Sequence, residues 1–401
     1  MADDASILAW IDAQQPRMEA LVAKWAAINS GSNNIAGLTR MADILTEDFA
    51  ILRHPIERIA LPPQHIIQSD GQIAEVPLGP ALRIQAHQRQ NRRVLLGIHF
   101  DTVYPADGAF QSVEKRDNQT LRGPGVADAK GGLAVMLIAL QALEQSEYVG
   151  NLGWEVLLNP DEEIGSPGSG KLLVQTARGK ILGLLFEPAL PDGKLAGDRK
   201  GSGNFVFVVR GRASHAGRDF QSGRSATVAL AEIILALDKL NGRWPEATVN
   251  IGRVEGGGAL NVVPDLAIGR VNIRCRLPEH QREIRRALDQ ITDQADKKEG
   301  ITVCLHGEFH APPRILDPAH AQWFNRLAEC GAELAMPIQW RNSGGACDGN
   351  RLSAAGLPTI DTLGPVGGGI HSSSEYIELP SLSARAKLTA LLLLKIARGD
   401  Y

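Results

Sequence analysis

Apolar residues recur at helical spacing near the start of the chain. Ile7, Leu8, Ile11, Met18, Leu21, Val22 and Trp25 predict one amphipathic entry helix over residues 5–29, and a second helix is predicted over 37–53. The pattern then changes to short apolar runs, predicting strands at Ala81–Ala86, Val94–Ile98, Trp154–Leu158 and Ile181–Phe186. Between them, Gly131–Glu144 reads as a helix with a glycine-rich start. Strands alternating with helices in this way predict an α/β fold, a mixed sheet covered by helices on both faces.

The texture shifts near Gly201. Asn204–Val209, Thr248–Val254, Ala267–Arg276 and Ile301–Leu305 read as strands, and Ser225–Leu240 and Ile284–Ala295 as amphipathic helices. Four strands with two helices make a small α+β unit of its own. The proline-bearing stretch His310–Arg314 marks its exit, and the chain ends in a predicted helix at Ser381–Arg398. The expected organisation is a catalytic domain in two parts, 1–199 and 314–401, interrupted by an inserted domain over 200–313.

Composition changes this picture little. The 401 residues suit two domains, and a formal net charge of -3 gives no reason to expect nucleic acid or an anionic membrane as a partner. Cys275, Cys304, Cys330 and Cys347 are far apart and lack zinc-knuckle spacing, so buried free thiols are expected. The acidic N-terminus has no basic or apolar leader region, and the apolar stretches Leu133–Leu143 and Leu388–Ile396 read as buried helices. A soluble, cytoplasmic protein is the expectation.

The chemistry gathers where predicted strands end. Val94–Ile98 runs into His99-Phe100-Asp101, and alternate strand residues share a face, so Asp101 can reach the His99 ring. That is the pairing a metal-bound histidine ordinarily has, although a lone histidine at a strand end is as often simply hydrogen-bonded. Asp128 lies in a glycine-rich run just before a helix. It could cap that helix, or bridge two cations with its two oxygens. Trp154–Leu158 is followed by Asn159-Pro160-Asp161-Glu162-Glu163, where adjacent carboxylates point apart. Glu163 can then bind a metal while Glu162 remains free as a base. Leu184-Leu185-Phe186 ends in Glu187, and a glycine stretch leads to His371. Each taken singly could be a solvated loop residue. Together His99, Asp128, Glu163, Glu187 and His371 form an all-nitrogen-and-oxygen donor set. It suits two zinc ions per subunit, with cobalt or manganese as substitutes.

These segments, in this order, resemble the zinc carboxypeptidase/deacylase family that includes glutamate carboxypeptidase, acetylornithine deacetylase and succinyl-diaminopimelate desuccinylase. The likeness runs through His99–Pro105, Gly123–Gly132, Asn159–Ser166, Glu187 and His371–Tyr376, nearly the whole chain. It implies a dizinc amide hydrolase whose lid domain also makes a homodimer. By the same resemblance, His215 in Gly211–Gly217 reaches the partner subunit's site and polarises the scissile carbonyl. Asn261 in Gly258–Pro264 contacts substrate, and Arg274 grips a substrate carboxylate through its planar fork. The chain has Asn272-Ile273-Arg274 where the family often has Asp-x-Arg. Glutamate at 187, rather than aspartate, looks like the carboxypeptidase and deacylase branch.

The expected reaction is hydrolysis of the amide bond of a C-terminal, glutamate-type residue or of an N-acyl amino acid, with Glu162, Asp101 and His215 as catalytic groups. The alternatives are a deacylase of N-acetyl- or N-succinyl-diamino acids and, from another class, a non-catalytic metal- or peptide-binding relative. An oxidoreductase reading based on the glycines is weaker still, because Gly123-Pro124-Gly125 lacks the dinucleotide-binding spacing and its ribose-binding acid.

Overall fold

The computed structural model describes residues 4–401. Its centre is a six-stranded mixed sheet in the spatial order Ile56–Ile59, Ala81–Ala86, Gly153–Asn159, Arg93–His99, Leu182–Leu185, Thr359–Ile360. The last four are parallel, and the first two join antiparallel at one edge. Alternate residues explain why both faces are covered. Val94, Leu96, Trp154, Val156 and Leu158 pack into the large core beneath the long helices. Leu95, Leu157 and Leu185 face a smaller core with Leu173 and Leu352 from the helices Gly170–Ala177 and Asp348–Ala354. Each such side chain contributes about 1.5–3 kcal/mol on burial.

The helix Gly131–Glu144 is buried over residues 131–143, and the C-terminal helix Pro380–Arg398 packs along it. By length and composition, Val126–Glu144 could cross a membrane, but the stretch lies inside the protein core.

Parallel register decides where the chemistry sits. His99 lies opposite Asn159, and Gly97 opposite Leu185. The three strands therefore release His99–Asp101, Glu162–Glu163 and Glu187 at the same carboxyl end of the sheet, where α/β proteins commonly bind ligands.

A second, antiparallel sheet has the order Thr248–Gly256, Leu266–Cys275, Gly201–Arg210, Thr302–Ala311. The helices Ala226–Asp238 and Pro278–Asp296 pack on it around a separate core. Ser225 caps the first of these helices, its side chain accepting from the Val228 N–H.

Three expectations need correction. The entry helix is two helices, Asp4–Ala13 and Gln15–Ala26. Pro16 opens the second, where its missing N–H costs nothing, but inside one continuous helix it would break the ladder. The strand expected to end at Leu305 continues to Ala311, which puts His310 on a strand rather than in an exit loop. Cys304 is exposed, unlike the other three thiols. It lies on the edge strand, next to Val303, and Val303 takes the core-facing position. A hairpin of Gln64–Ile67 with Ile73–Val76 was not predicted.

Candidate metal centre

Asp128 is the hub. It lies on the loop between Gly125 and the helix Gly131–Glu144, and it does not cap that helix, whose cap position is Lys130. One carboxylate oxygen is 3.0 Å from His99 Nε2, and the other is 3.3 Å from His371 Nε2. His99 Nε2 also lies 3.6 Å from Glu187 Oε2, and His371 Nε2 lies 3.2 Å from Glu163 Oε2. The structure thus brings all five predicted donors together, in two groups that share Asp128. His371 reaches the site from a left-handed backbone conformation, φ 59°, after the glycine stretch, and its side chain remains 52% exposed.

Electrostatics shows what this arrangement lacks. Burial raises Glu187, and burial with the Asp128 charge pushes Glu163 up to about 7. His371, bonded to Asp128 and Glu163, is pushed up to about 10. Burial opposes a charge on His99, yet Glu187, Asp101 and Asp128 hold it well above the ordinary imidazole value. The buried carboxylates are short of positive charge, and the imidazoles are recruited to supply it. The donors fit divalent cations. Tetrahedral zinc with bonds of about 2.0–2.2 Å places neighbouring ligand atoms roughly 3.3–3.6 Å apart, close to the four separations above.

The surrounding shell fixes these groups. His99 Nδ1 faces the Asp101 carbonyl oxygen at 3.1 Å and its carboxylate at 3.3 Å. Asp101 does more than orient that ring. Its carboxylate also accepts from Ser32 Oγ and from the backbone N–H groups of Glu162 and Glu163. One side chain therefore ties the histidine strand to the acidic turn. Glu162 is raised well above the carboxylate range by burial and by neighbouring carboxylates, against the pull of His99. No hydrogen bond or ion pair of its carboxylate is found among the described residues.

Sequence reasoning gave no role to several residues that matter here. Glu375 is fully buried and accepts from the N–H groups of Gly125, Ala127 and Asp128 and from Tyr104 Oη. It holds the Asp128 loop in place. Asp161 accepts from the Gly168 and Ser169 N–H groups and so braces the turn carrying Glu162. His310 lines the cleft, kept neutral by burial and by Arg351 and Arg274, which push it down to about 4. The only available signals were an acid four residues after His371 and a histidine within a strand.

The cleft measures about 480 Å³ and lies between the two sheets, room for a small peptide or acyl amino acid. Arg274 lines it, half-buried, and its Nε donates to Asn272 Oδ1 at 3.0 Å. The asparagine that departs from the Asp-x-Arg pattern thus still supports the arginine. The Gly344–Asn350 segment supplies Gly345, Ala346, Cys347 and Asp348 to the wall and starts the helix Asp348–Ala354. His215 and Asn261 are not brought to this cleft within one chain. Both are exposed on the second unit and adjoin one another through the Ala216 N–H to Asn261 O bond, 2.9 Å. His215 Nδ1 accepts from the Gly217 and Arg218 N–H groups, so a neutral ring carries its proton on Nε2.

Comparison with known proteins agrees with this geometry. The chain is 25% identical over 400 residues to carboxypeptidase G2 of Pseudomonas sp. (strain RS-16), covering 96% of this chain and 91% of that one. Identity to the succinyl-diaminopimelate desuccinylase of Nitrosococcus oceani is 26% over 291 residues, 69% of this chain and 75% of that one. The fold matches the YXEP protein of Bacillus subtilis, described as a dinuclear metal binding peptidase of the M20 family. The TM-score is 0.65 at 17% identity, covering 96% and 99% of the two chains. The model of peptidase family M20/M25/M40 matches residues 95–395, a span that includes every one of the clustered donors. With most of its length accounted for in this way, the chain belongs to peptidase family M20/M25/M40.

Proposed function

We propose that this metallopeptidase is a dinuclear zinc amide hydrolase that releases a C-terminal, glutamate-type residue, or the amino acid of an N-acyl amino acid. One observation carries the reading. Asp128 presents its two oxygens to two imidazoles, each accompanied by a further carboxylate, while Glu162 is left outside both groups. His99, Glu187 and Asp128 would hold one ion, and His371, Glu163 and Asp128 the other. Zinc suits a donor set without thiolate, with cobalt or manganese as substitutes. When bound, such ions lower the pKa of water toward about 7 and offset negative charge on an amide oxygen.

The protein's own groups do the rest. Glu162 takes the proton of the attacking water and returns it to the departing nitrogen. Asp101 keeps His99 oriented and the Glu162 turn fixed. Arg274 receives the free carboxylate of the amino-acid part in its planar fork. His215 and Asn261, exposed and adjacent on one chain, complete the cleft of a second copy in a homodimer. There the Nε2 proton of His215 stabilises the developing oxyanion.

Arg274→Ala tests the substrate assignment. It should lower kcat/KM roughly 10- to 100-fold, chiefly through KM, for substrates with a free carboxylate, which is the scale of one lost charged hydrogen-bonded contact. Substrates with that carboxylate amidated should be hydrolysed poorly by both proteins and equally well. An equal loss on both substrates would overturn the role of Arg274. A second reading, deacylation of N-acetyl- or N-succinyl-diamino acids, is favoured by the likeness to the desuccinylase. A panel of C-terminal glutamyl peptides against N-acyl diamino acids, run on zinc-loaded protein, decides between them.

A further inference from the structure

A second group of metal-competent side chains lies at the opposite end of the central sheet. Glu144 ends the helix that begins beside Asp128, and a helix of that length puts it about 20 Å from the cleft. His87 follows the strand Ala81–Ala86 at the end where Ala86 pairs with Trp154, the start of the strand that leads away towards Glu162. His54 follows the turn after the helix Ile35–Phe49. Three segments remote in sequence meet here, and the cleft chemistry uses none of these residues.

Their geometry is that of a ligand set. His54 Nε2 lies 3.2 Å from one Glu144 oxygen and His87 Nε2 lies 3.3 Å from the other. One donor atom from each of the three lies within 4.8 Å of the others. The carboxylate is oriented from behind, since Trp154 Nε1 donates to Glu144 Oε1 at 2.8 Å. A partner of this kind is what positions a metal-binding carboxylate. The His54 ring sits edge-on to Trp154 and to His87, with centroids 5.2 Å and 5.4 Å apart, which fixes its direction. His87 is held at φ 48°.

We propose that His54, His87 and Glu144 form a third cation site, separate from the cleft, for zinc or a similar borderline divalent ion. Two imidazoles and one carboxylate make a three-ligand set. Side chains about one-fifth exposed leave the fourth, tetrahedral position to water. The site would be structural. It staples the segment after Ile35–Phe49 and the turn after Ala81–Ala86 to the end of the central helix. The proposal is independent of what fills the cleft.

The test is a comparison of zinc stoichiometry. Wild-type protein and the variants His54→Gln and His87→Asn are stripped of metal, titrated with zinc, and analysed for bound zinc per chain. Asparagine at 87 tolerates the left-handed backbone, so loss of folding is not expected. Each variant should hold one zinc fewer than wild type, keep wild-type hydrolysis at saturating zinc, and lose part of the zinc-dependent rise in Tm. Glu144→Gln, which can still accept from Trp154, should behave the same way. Equal zinc content and equal zinc-dependent Tm shifts in wild type and all three variants would overturn the site. They would show that the two histidines simply hydrogen-bond the carboxylate.

Discussion

Glu162→Gln is expected to lower kcat by about 10³-fold or more, close to the upper range for a positioned general base, with bound metal unchanged. The substitution keeps the shape of a side chain that lines the cleft and has no ion pair among the described residues. Its backbone N–H still bonds Asp101, so the turn carrying Glu163 should remain in place. What disappears is the capacity to take up and return a proton. KM should change little, because the role proposed for Glu162 is at the reacting atoms rather than in the substrate's grip. A fall in metal content with unchanged turnover per remaining ion would instead make Glu162 a ligand and reassign the base.

Asp128→Asn should give the opposite signature. Its two oxygens face two imidazoles at 3.0 Å and 3.3 Å, so both groups of donors depend on it. An amide nitrogen in place of one oxygen turns a donor N–H toward one group and removes the negative charge shared by both. Metal affinity should fall by more than the roughly 10- to 100-fold that outer partners of a metal site cost, and hydrolysis should fall with it. The change also removes the charge that pairs with both imidazoles and that holds Asp128 well below the usual carboxylate range, so the metal-free variant should unfold more readily than metal-free wild type. Metal analysis and a thermal melt on the same preparations check both halves of this expectation.

Much of this site was legible because His99, the Glu162–Glu163 pair and Glu187 each come at or just after the end of an apolar strand. The runs ending at His99, before Glu162 and at Glu187 are short, continuous and parallel in register, so their ends had to converge. His371 was legible through the glycines that let the chain approach. The supporting shell was harder to read. Glu375 works by accepting three backbone N–H bonds from a loop some 250 residues away, and no local pattern announces such a contact. The break at Gln14 was written in Pro16, but helical spacing on both sides of it masked the break. His215 and Asn261 are a different case. One chain leaves them on its surface, so their proposed contribution depends on a second copy.

The most direct measurement is anomalous X-ray diffraction at the zinc edge from crystals of the zinc-loaded protein. Two strong peaks are expected flanking the Asp128 carboxylate, one beside His99 and Glu187 and the other beside His371 and Glu163. A single peak, or none between the two imidazoles, in protein that hydrolyses its substrate at full rate would contradict that arrangement.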